Sequence, residues 1–483
     1  MDAKEFRERG KEMIDYIADY HENIASLRVN PDVKPGFLID QLPPTAPEKG
    51  ETFTQVFEDF QRQVMPGITH WSSPHFRAYF PSNTSFPSIL GDMLSSAIGG
   101  VGFSWDCNPS STELEIVVLD WLGKMINLPG EFLAMNPEPR SDGKRGGGVI
   151  QSTASEAVLV AMLAAKKAAL DRLHASFPKE SEAMLNEKLV AYSSMESHSS
   201  VEKAATITGN KIRLIQTDDQ GVLLTQELQE TIKADKGNGF YPFFVCTTLG
   251  TTNVCSFDNL EDIGPICKKE NMWLHIDAAY AGSFFICPEY RTYMKGVEFA
   301  DSFNFNAHKN MLTNFDCSPL WVKDRDAIMG ALYVKRSYLK NVDTDVVTDF
   351  RNWQIPLGRR FRALKLWCVM RCFGVEGIQE HVRHHIRMTK VFEELVVQDD
   401  RFEFWPKIPN VGLVCFRLKD SDELTKMLAD SINNTGQLFV LSVVFKNKQV
   451  IRFHGGVGGK EDHVYEDWNT IRRAADALLD GQG

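Results

Sequence analysis

The sequence has no C-x-x-C pair and no Cys/His spacing of the kind that holds zinc, although nine cysteines are spread from Cys107 to Cys415. That argues against a zinc knuckle or a disulfide framework and predicts scattered thiols in a reducing cytoplasm. Cys368 and Cys372 stand four apart on a helical pattern, but two thiols without further ligands make a poor metal site, so no metal is expected. Long apolar runs are missing too. Residues 438–445 form one of the longest, well short of the ~20 residues that span a bilayer, so no membrane helix is expected. The start of the chain is charged from Asp2 and has no apolar stretch ending in small residues, which predicts no secretory leader. Excess positive charge is also lacking: 53 Lys+Arg against 64 Asp+Glu give a net charge of -11, which argues against a nucleic-acid surface. Internal repeats and low-complexity tracts are absent, which argues against a solenoid.

What remains is an ordinary globular composition, 43% hydrophobic and 24% charged over 483 residues, long enough for about three compact units. Residues 2–28 place Phe6, Met13, Ile14, Ile17 and Ile24 on one helical face, an amphipathic helix that needs a partner surface. A Pro-rich connector, Leu42-Pro43-Pro44-Thr45-Ala46-Pro47, follows. Between about residues 90 and 360, strand-like runs at 188–192, 243–247, 272–276 and 320–322 alternate with helical patterns such as 155–172. This alternation predicts an α/β fold with a mostly parallel sheet covered on both faces. After residue 360 a long helical tract leads to strand-like runs at 412–416, 438–445 and 450–453 and a closing helix. The predicted division is an N-terminal helical arm (1–85), a large domain (86–360) and a smaller C-terminal α+β domain (361–483).

Three motifs carry chemistry. Gly146-Gly147-Gly148-Val149-Ile150-Gln151 runs into Ser152-Thr153-Ala154-Ser155-Glu156, where Thr153 and Glu156 fit a T-x-x-E capping box. Such a helix start is either a plain capped helix or, with Thr153 and Ser155 as hydroxyl donors, a phosphate site. The run Trp273-Leu274-His275-Ile276 ends in Asp277, which either caps the next helix or holds the proton of a pyridinium nitrogen. Another strand-like run leads through Asn306 and His308 to Lys309, either a surface charge or a Schiff-base lysine. Phosphate site, strand-end Asp and strand-end Lys, in that order, are the parts a pyridoxal-phosphate enzyme needs.

With these motifs the chain resembles the aromatic-L-amino-acid decarboxylases, group II of the fold-type I pyridoxal-phosphate enzymes, nearly end to end. The matching segments include Met65-Pro66-Gly67-Ile68-Thr69-His70-Trp71, His198-Ser199-Ser200-Val201-Glu202, Thr248-Leu249-Gly250-Thr251-Thr252 and Trp353-Gln354-Ile355-Pro356-Leu357-Gly358-Arg359-Arg360. The resemblance implies a transferase-like large domain that binds pyridoxal 5'-phosphate. Lys309 holds the cofactor covalently, Asp277 pairs with its ring nitrogen, and His198 and Ala279 cover the two ring faces. Thr153, Ala154, Ser155 and Asn306 receive the phosphate, Thr252 touches the ring oxygen or the substrate side, and His308 supports Lys309.

The implied reaction is decarboxylation of an aromatic L-amino acid through an external aldimine and a quinonoid, with Tyr338 protonating Cα from a loop over residues 335–348. Tyr79, Phe80, Ser82, Phe103 and Gly358 match substrate-pocket positions, and Gly358 stands where histidine decarboxylases usually carry Ser. L-Dopa and 5-hydroxytryptophan are therefore favoured over histidine. A homodimer with shared active sites is implied, Phe103, Tyr338 and Gly358 reaching the partner's site. The chain departs from the family pattern at Ala307, at Asn310 and at Met195-Glu196-Ser197. Two alternatives are an aromatic aldehyde synthase, which tends to lose the loop Tyr or the ring His, and a non-enzymatic scaffold, which intact Lys309 and Asp277 oppose.

Overall fold

The computed structural model describes residues 1–136, 138, 140–334, 348–456 and 458–480. Seven strands build the larger sheet: β1 (Gly147–Gln151), β2 (Leu189–Ser194), β3 (Lys211–Ile215), β4 (Tyr241–Thr248), β5 (Trp273–Asp277), β6 (Ser302–Asn304) and β7 (Ser318–Val322). Their spatial order is β1-β7-β6-β5-β4-β2-β3. Strands β3, β2, β4, β5 and β6 pair in parallel, and β7 runs antiparallel to both β6 and β1. The predicted mostly parallel sheet is thus present. The run at 320–322, grouped with the parallel strands in the sequence, is the antiparallel member, because the turn from Lys309 back to Ser318 is far too short for a crossover helix.

A sheet covered on both faces buries its central strands, and β1, β2 and β7 are buried at every residue. The helix Ala154–Ser176 seals one face with small side chains. Ala161 and Ala165 join a core with Ala191 and Phe244, while Ala157 and Ala164 join another with Val149 and Leu320. Alanine lets the helix approach the sheet closely, so enlarging Ala161 costs about 1–3 kcal/mol through overpacking.

A second, wholly antiparallel sheet is formed by β8 (Phe402–Phe404), β9 (Leu413–Leu418), β10 (Leu441–Phe445) and β11 (Lys448–His454) in the order β10-β11-β9-β8. Helices Asp422–Thr435 and Glu461–Asp480 contribute to its core, in which Phe392 stacks on Phe453 with ring centroids 3.6 Å apart. The helix Ala3–Asn23, N-capped by Asp2, has no buried residue.

The division into 1–85, 86–360 and 361–483 follows sequence order; by contacts the described chain forms two units. One comprises Met1–Pro81, His385–Trp405 and Leu413–Gly483, the other Ser82–His384 and Pro406–Gly412. The N-terminal segment groups with the C-terminal sheet through backbone hydrogen bonds from Val29 N–H to Gly436 O (2.8 Å) and from Arg77 N–H to Phe439 O (2.8 Å). Composition carries no trace of such distant pairings.

Candidate active site

Strands β2, β4, β5 and β6 run parallel, so their carboxyl ends share one edge of the sheet, where ligands of α/β proteins gather. In register, Thr248 of β4 stands beside Asp277 of β5, and Asp277 beside Asn304 of β6. All three are buried. Asp277 Oδ1 accepts from the Ala279 N–H at 2.9 Å and from the Asn304 amide at 3.4 Å, both neutral donors. A carboxylate only 3% exposed and held by neutral donors is a strong attractor for a cation.

Lys309 follows β6 on the short helix Ala307–Asn310. Asn83 pins this turn: its side-chain amide donates to the Lys309 carbonyl at 2.6 Å, and its N–H donates to the His308 carbonyl at 2.8 Å. His308 Nδ1 accepts from the Cys317 N–H at 2.9 Å, so the proton of the neutral ring sits on Nε2. Burial, reinforced by the charge of Lys309, pushes the pKa of His308 down to about 3.

His198 follows β2 in a turn closed by the Ser197 hydroxyl, which donates to Ser194 O at 2.7 Å. Its Nδ1 accepts from the Ser200 N–H at 3.1 Å, placing the neutral proton on Nε2 here as well. The residue keeps a face open to solvent. Desolvation by the surrounding loops lowers its pKa; Asp277 pulls it up and Lys309 pushes it down, which places all three within one electrostatic neighbourhood. Behind them on β5, fully buried His275 is driven down to about 4 by burial.

On β1 the chain passes through Ser152 into the long helix, with Thr153 as its N-cap. The expected capping box is shifted by one residue. Thr153 Oγ1 accepts from the Glu156 N–H at 3.4 Å, but Glu156 reaches Ser152, taking its N–H at 2.9 Å and its hydroxyl at 2.5 Å. Ser152 offers two donors where Thr153 N–H offers one. Ala154 is buried and Ser155 exposed in the first turn, where the helix dipole favours an anion. Thr252 and Ala279, both half-buried, leave the ends of β4 and β5. In the loop of Thr252, Gly250 has φ +91°, and a Cβ there would stand 2.7 Å from the Ala281 Cβ. Only glycine fits that turn.

These residues fit pyridoxal phosphate on three counts: a helix start for the phosphate, a buried carboxylate for the ring nitrogen and a primary amine for the carbonyl carbon. In addition Thr248 Oγ1, Asn304 Oδ1 and Asn306 Oδ1 are buried without a hydrogen-bond partner among the described residues. Each such atom costs about 1–3 kcal/mol, a cost that a polar ligand relieves.

Of the residues expected at the substrate, Ser82, Phe103 and Gly358 belong to one unit. Phe103 is half-buried and its carbonyl accepts from the Arg351 N–H at 2.9 Å. A Cβ on Gly358 would meet Val101 Cγ1 at 4.0 Å and nothing nearer. Tyr79 and Phe80 belong to the other unit: the Arg452 guanidinium lies 4.8 Å from the Phe80 ring centroid, and Tyr79 stacks on Trp71 at 5.5 Å. Tyr338 lies outside the described residues. Three contributors escape the sequence reading: Asn83, Asn304, and the pair Glu196–Asn253, whose 2.9 Å hydrogen bond ties the His198 turn to the Thr252 loop. The Asn304, Asn306 alternation was a usable strand-period signal; Asn83 offered none, its partner lying 226 residues away.

Among the described residues no group of three or more His, Cys, Asp or Glu is arranged to hold a metal ion, and no helix is long and apolar enough to cross a membrane. The family model of the pyridoxal-dependent decarboxylase conserved domain matches residues 35–419. An aromatic-L-amino-acid decarboxylase of Cavia porcellus is 51% identical over 482 residues, 99% of each chain. A histidine decarboxylase of Homo sapiens is 48% identical over 480 residues, 99% of this chain and 72% of the relative. Among solved structures, Oryza sativa TDC with PLP and tryptamine superposes with a TM-score of 0.94 at 38% identity, covering 99% of both chains. With the family model matching most of the chain and a relative about half identical over nearly its whole length, the chain is a member of the pyridoxal-dependent decarboxylase family.

Proposed function

We propose that the protein converts aromatic L-amino acids of the L-dopa and 5-hydroxytryptophan class to the monoamine and CO2, with pyridoxal 5'-phosphate as cofactor. The carrying observation is the buried Thr248–Asp277–Asn304 row, with Lys309 and His198 in the electrostatic neighbourhood of its carboxylate. When bound, the cofactor supplies an electron sink for the pair left on Cα as CO2 departs. Asp277 holds a proton at the ring nitrogen and so keeps that sink positive. Thr153, Ala154, Ser155 and Asn306 bind the phosphate. Lys309 would hold the cofactor through its primary amine. His198 and Ala279 cover the two ring faces, and Thr252 lies at the ring oxygen or substrate side. His308, held neutral, supports Lys309 without adding charge to the pocket. Tyr338 delivers the proton to Cα.

In this reading Ser82, Phe103 and Gly358 serve the substrate ring. Open space at Gly358 favours a phenol or indole over imidazole, and this, more than identity to either relative, supports the aromatic assignment. The working form in this proposal is a cytoplasmic homodimer. On helix Phe86–Ile98, Phe86, Leu90, Leu94 and Ile98 recur every fourth residue and are each 50–58% exposed, an apolar stripe suited to a second copy. The test is incubation with L-dopa, 5-hydroxytryptophan and L-histidine while amine, aldehyde and peroxide are assayed together. Amine from the two aromatic substrates is expected; equimolar aldehyde and peroxide, or a preference for histidine, overturns the assignment.

A further inference from the structure

The segment that carries Gly358 is tied to the sheet by a buried polar hub, and we propose that Gln354 and Arg359 are positioning residues that set the shape of the substrate-ring pocket. This rests on the assignment of Gly358 and Phe103 to that pocket. Arg359 is 4% exposed, and its guanidinium bonds Glu115, 1% exposed, through both Nε (3.2 Å to Oε2) and Nη2. Nη2 also donates to Ile150 O at 2.9 Å, and Glu115 Oε1 accepts the Ile150 N–H at 2.7 Å. The pair thus grips both backbone groups of one residue of β1, the strand that leads into Ser152 and Thr153.

From the same guanidinium, Nη1 donates to Gln354 Oε1 at 2.5 Å. Arginine has only donors, so the oxygen of the Gln354 amide must face it and the NH2 must face away. That NH2 lies 2.6 Å from Pro356 O, 3.3 Å from Leu357 O and 3.2 Å from Gly358 O, three consecutive carbonyls of the pocket segment. The Arg359 carbonyl accepts the Gly102 N–H at 2.9 Å, next to Phe103, and the Phe103 carbonyl accepts the Arg351 N–H at 2.9 Å. The Gly358 backbone is therefore held by a cluster that also holds the strand leading into Ser152 and Thr153, and whose Arg359 carbonyl is bonded to Gly102, the neighbour of Phe103. Burying such an ion pair is a poor way to gain stability, since apolar residues of similar volume serve as well or better. Its directional bonds fix backbone positions that apolar packing leaves loose.

Gln354→Glu separates the two halves of the hub. A carboxylate still accepts from Arg359 but turns oxygen toward the three carbonyls, so the pocket segment loses its donor while the ion pair survives. The holoenzyme variant is compared with wild type for KM and kcat on L-dopa, for bound cofactor by absorbance, and for the Kd of L-dopa methyl ester, which has no free carboxylate to lose. Expected are a rise of about tenfold in KM and ester Kd, with kcat and cofactor content within about twofold. A folded, loaded variant with unchanged KM and ester Kd overturns the proposal, as does loss of cofactor and kcat at unchanged KM, which marks a structural strut. If Gln354→Glu fails to fold, the neutral Gln354→Met is judged by the same readouts. Absence of L-dopa turnover in wild type defeats the functional assignment instead, and the ester Kd still decides the positioning role.

Discussion

Two aspartates are buried to almost the same degree in the two units, Asp467 at 1% and Asp277 at 3% exposure, and their surroundings differ in kind. Asp467, on helix Glu461–Asp480, forms an ion pair with Arg77 at 2.8 Å and a hydrogen bond with His75 at 2.7 Å, and the Arg77 guanidinium lies 4.5 Å from the Phe453 ring centroid. Its charge is met by the chain's own cation. Asp277 is held by a backbone N–H and a side-chain amide, and its neighbours Thr248 and Asn304 each keep a buried polar atom without a partner among the described residues. A buried charge answered from within builds the fold, whereas one held by neutral donors is prepared for a ligand that brings the cation.

Four experiments sharpen or break this contrast. The largest effect is expected from Asp277→Asn, which removes the carboxylate proposed to keep the cofactor nitrogen protonated. Decarboxylation measured by CO2 release should fall at least about a thousandfold, with unfolding stability changed by no more than about 1 kcal/mol. Asp467→Asn should do the reverse: Arg77 is left buried without its counter-charge, denaturant unfolding should show a loss of about 3 kcal/mol, and kcat of the folded fraction should stay within about twofold. Matching phenotypes for the two variants would remove the distinction.

The third concerns acid. His308 and His275 titrate near 3 and 4 in the folded chain because burial disfavours their charged forms, while an unfolded histidine titrates near ~6.5. Between those values the unfolded chain binds protons that the folded chain refuses, so their contribution to stability is complete above pH ~6.5 and drains away as the pH falls toward 3–4. Thermal unfolding from pH 7.5 to 5 should show this decline, and His308→Gln should flatten part of it. The smallest effect is expected from Gly358→Ser. The added side chain meets little protein, so melting should not move, but the kcat/KM ratio of L-dopa to histidine should drop by about tenfold.

The parts of the candidate site that are local in the chain were legible in the sequence. Asp277, Lys309 and Thr153 each terminate a strand-like run or open a helix, so period and chemistry coincide within ten residues. The sequence was silent about the groups that hold those parts in place. Asn83 meets Lys309 across 226 residues and Glu115 meets Arg359 across 244, and no local pattern encodes either pairing. The same limit hid the antiparallel sense of β7 and the grouping of residues 1–81 with the C-terminal sheet, both set by turn length and long-range backbone pairing.

The central claim is that Lys309 and Asp277 together form the seat of pyridoxal phosphate. Reducing the holoenzyme with borohydride and mapping its peptides by mass spectrometry tests it most directly. The account predicts a phosphopyridoxyl group on Lys309, and an unlabelled Lys309 with the group on another lysine would contradict it.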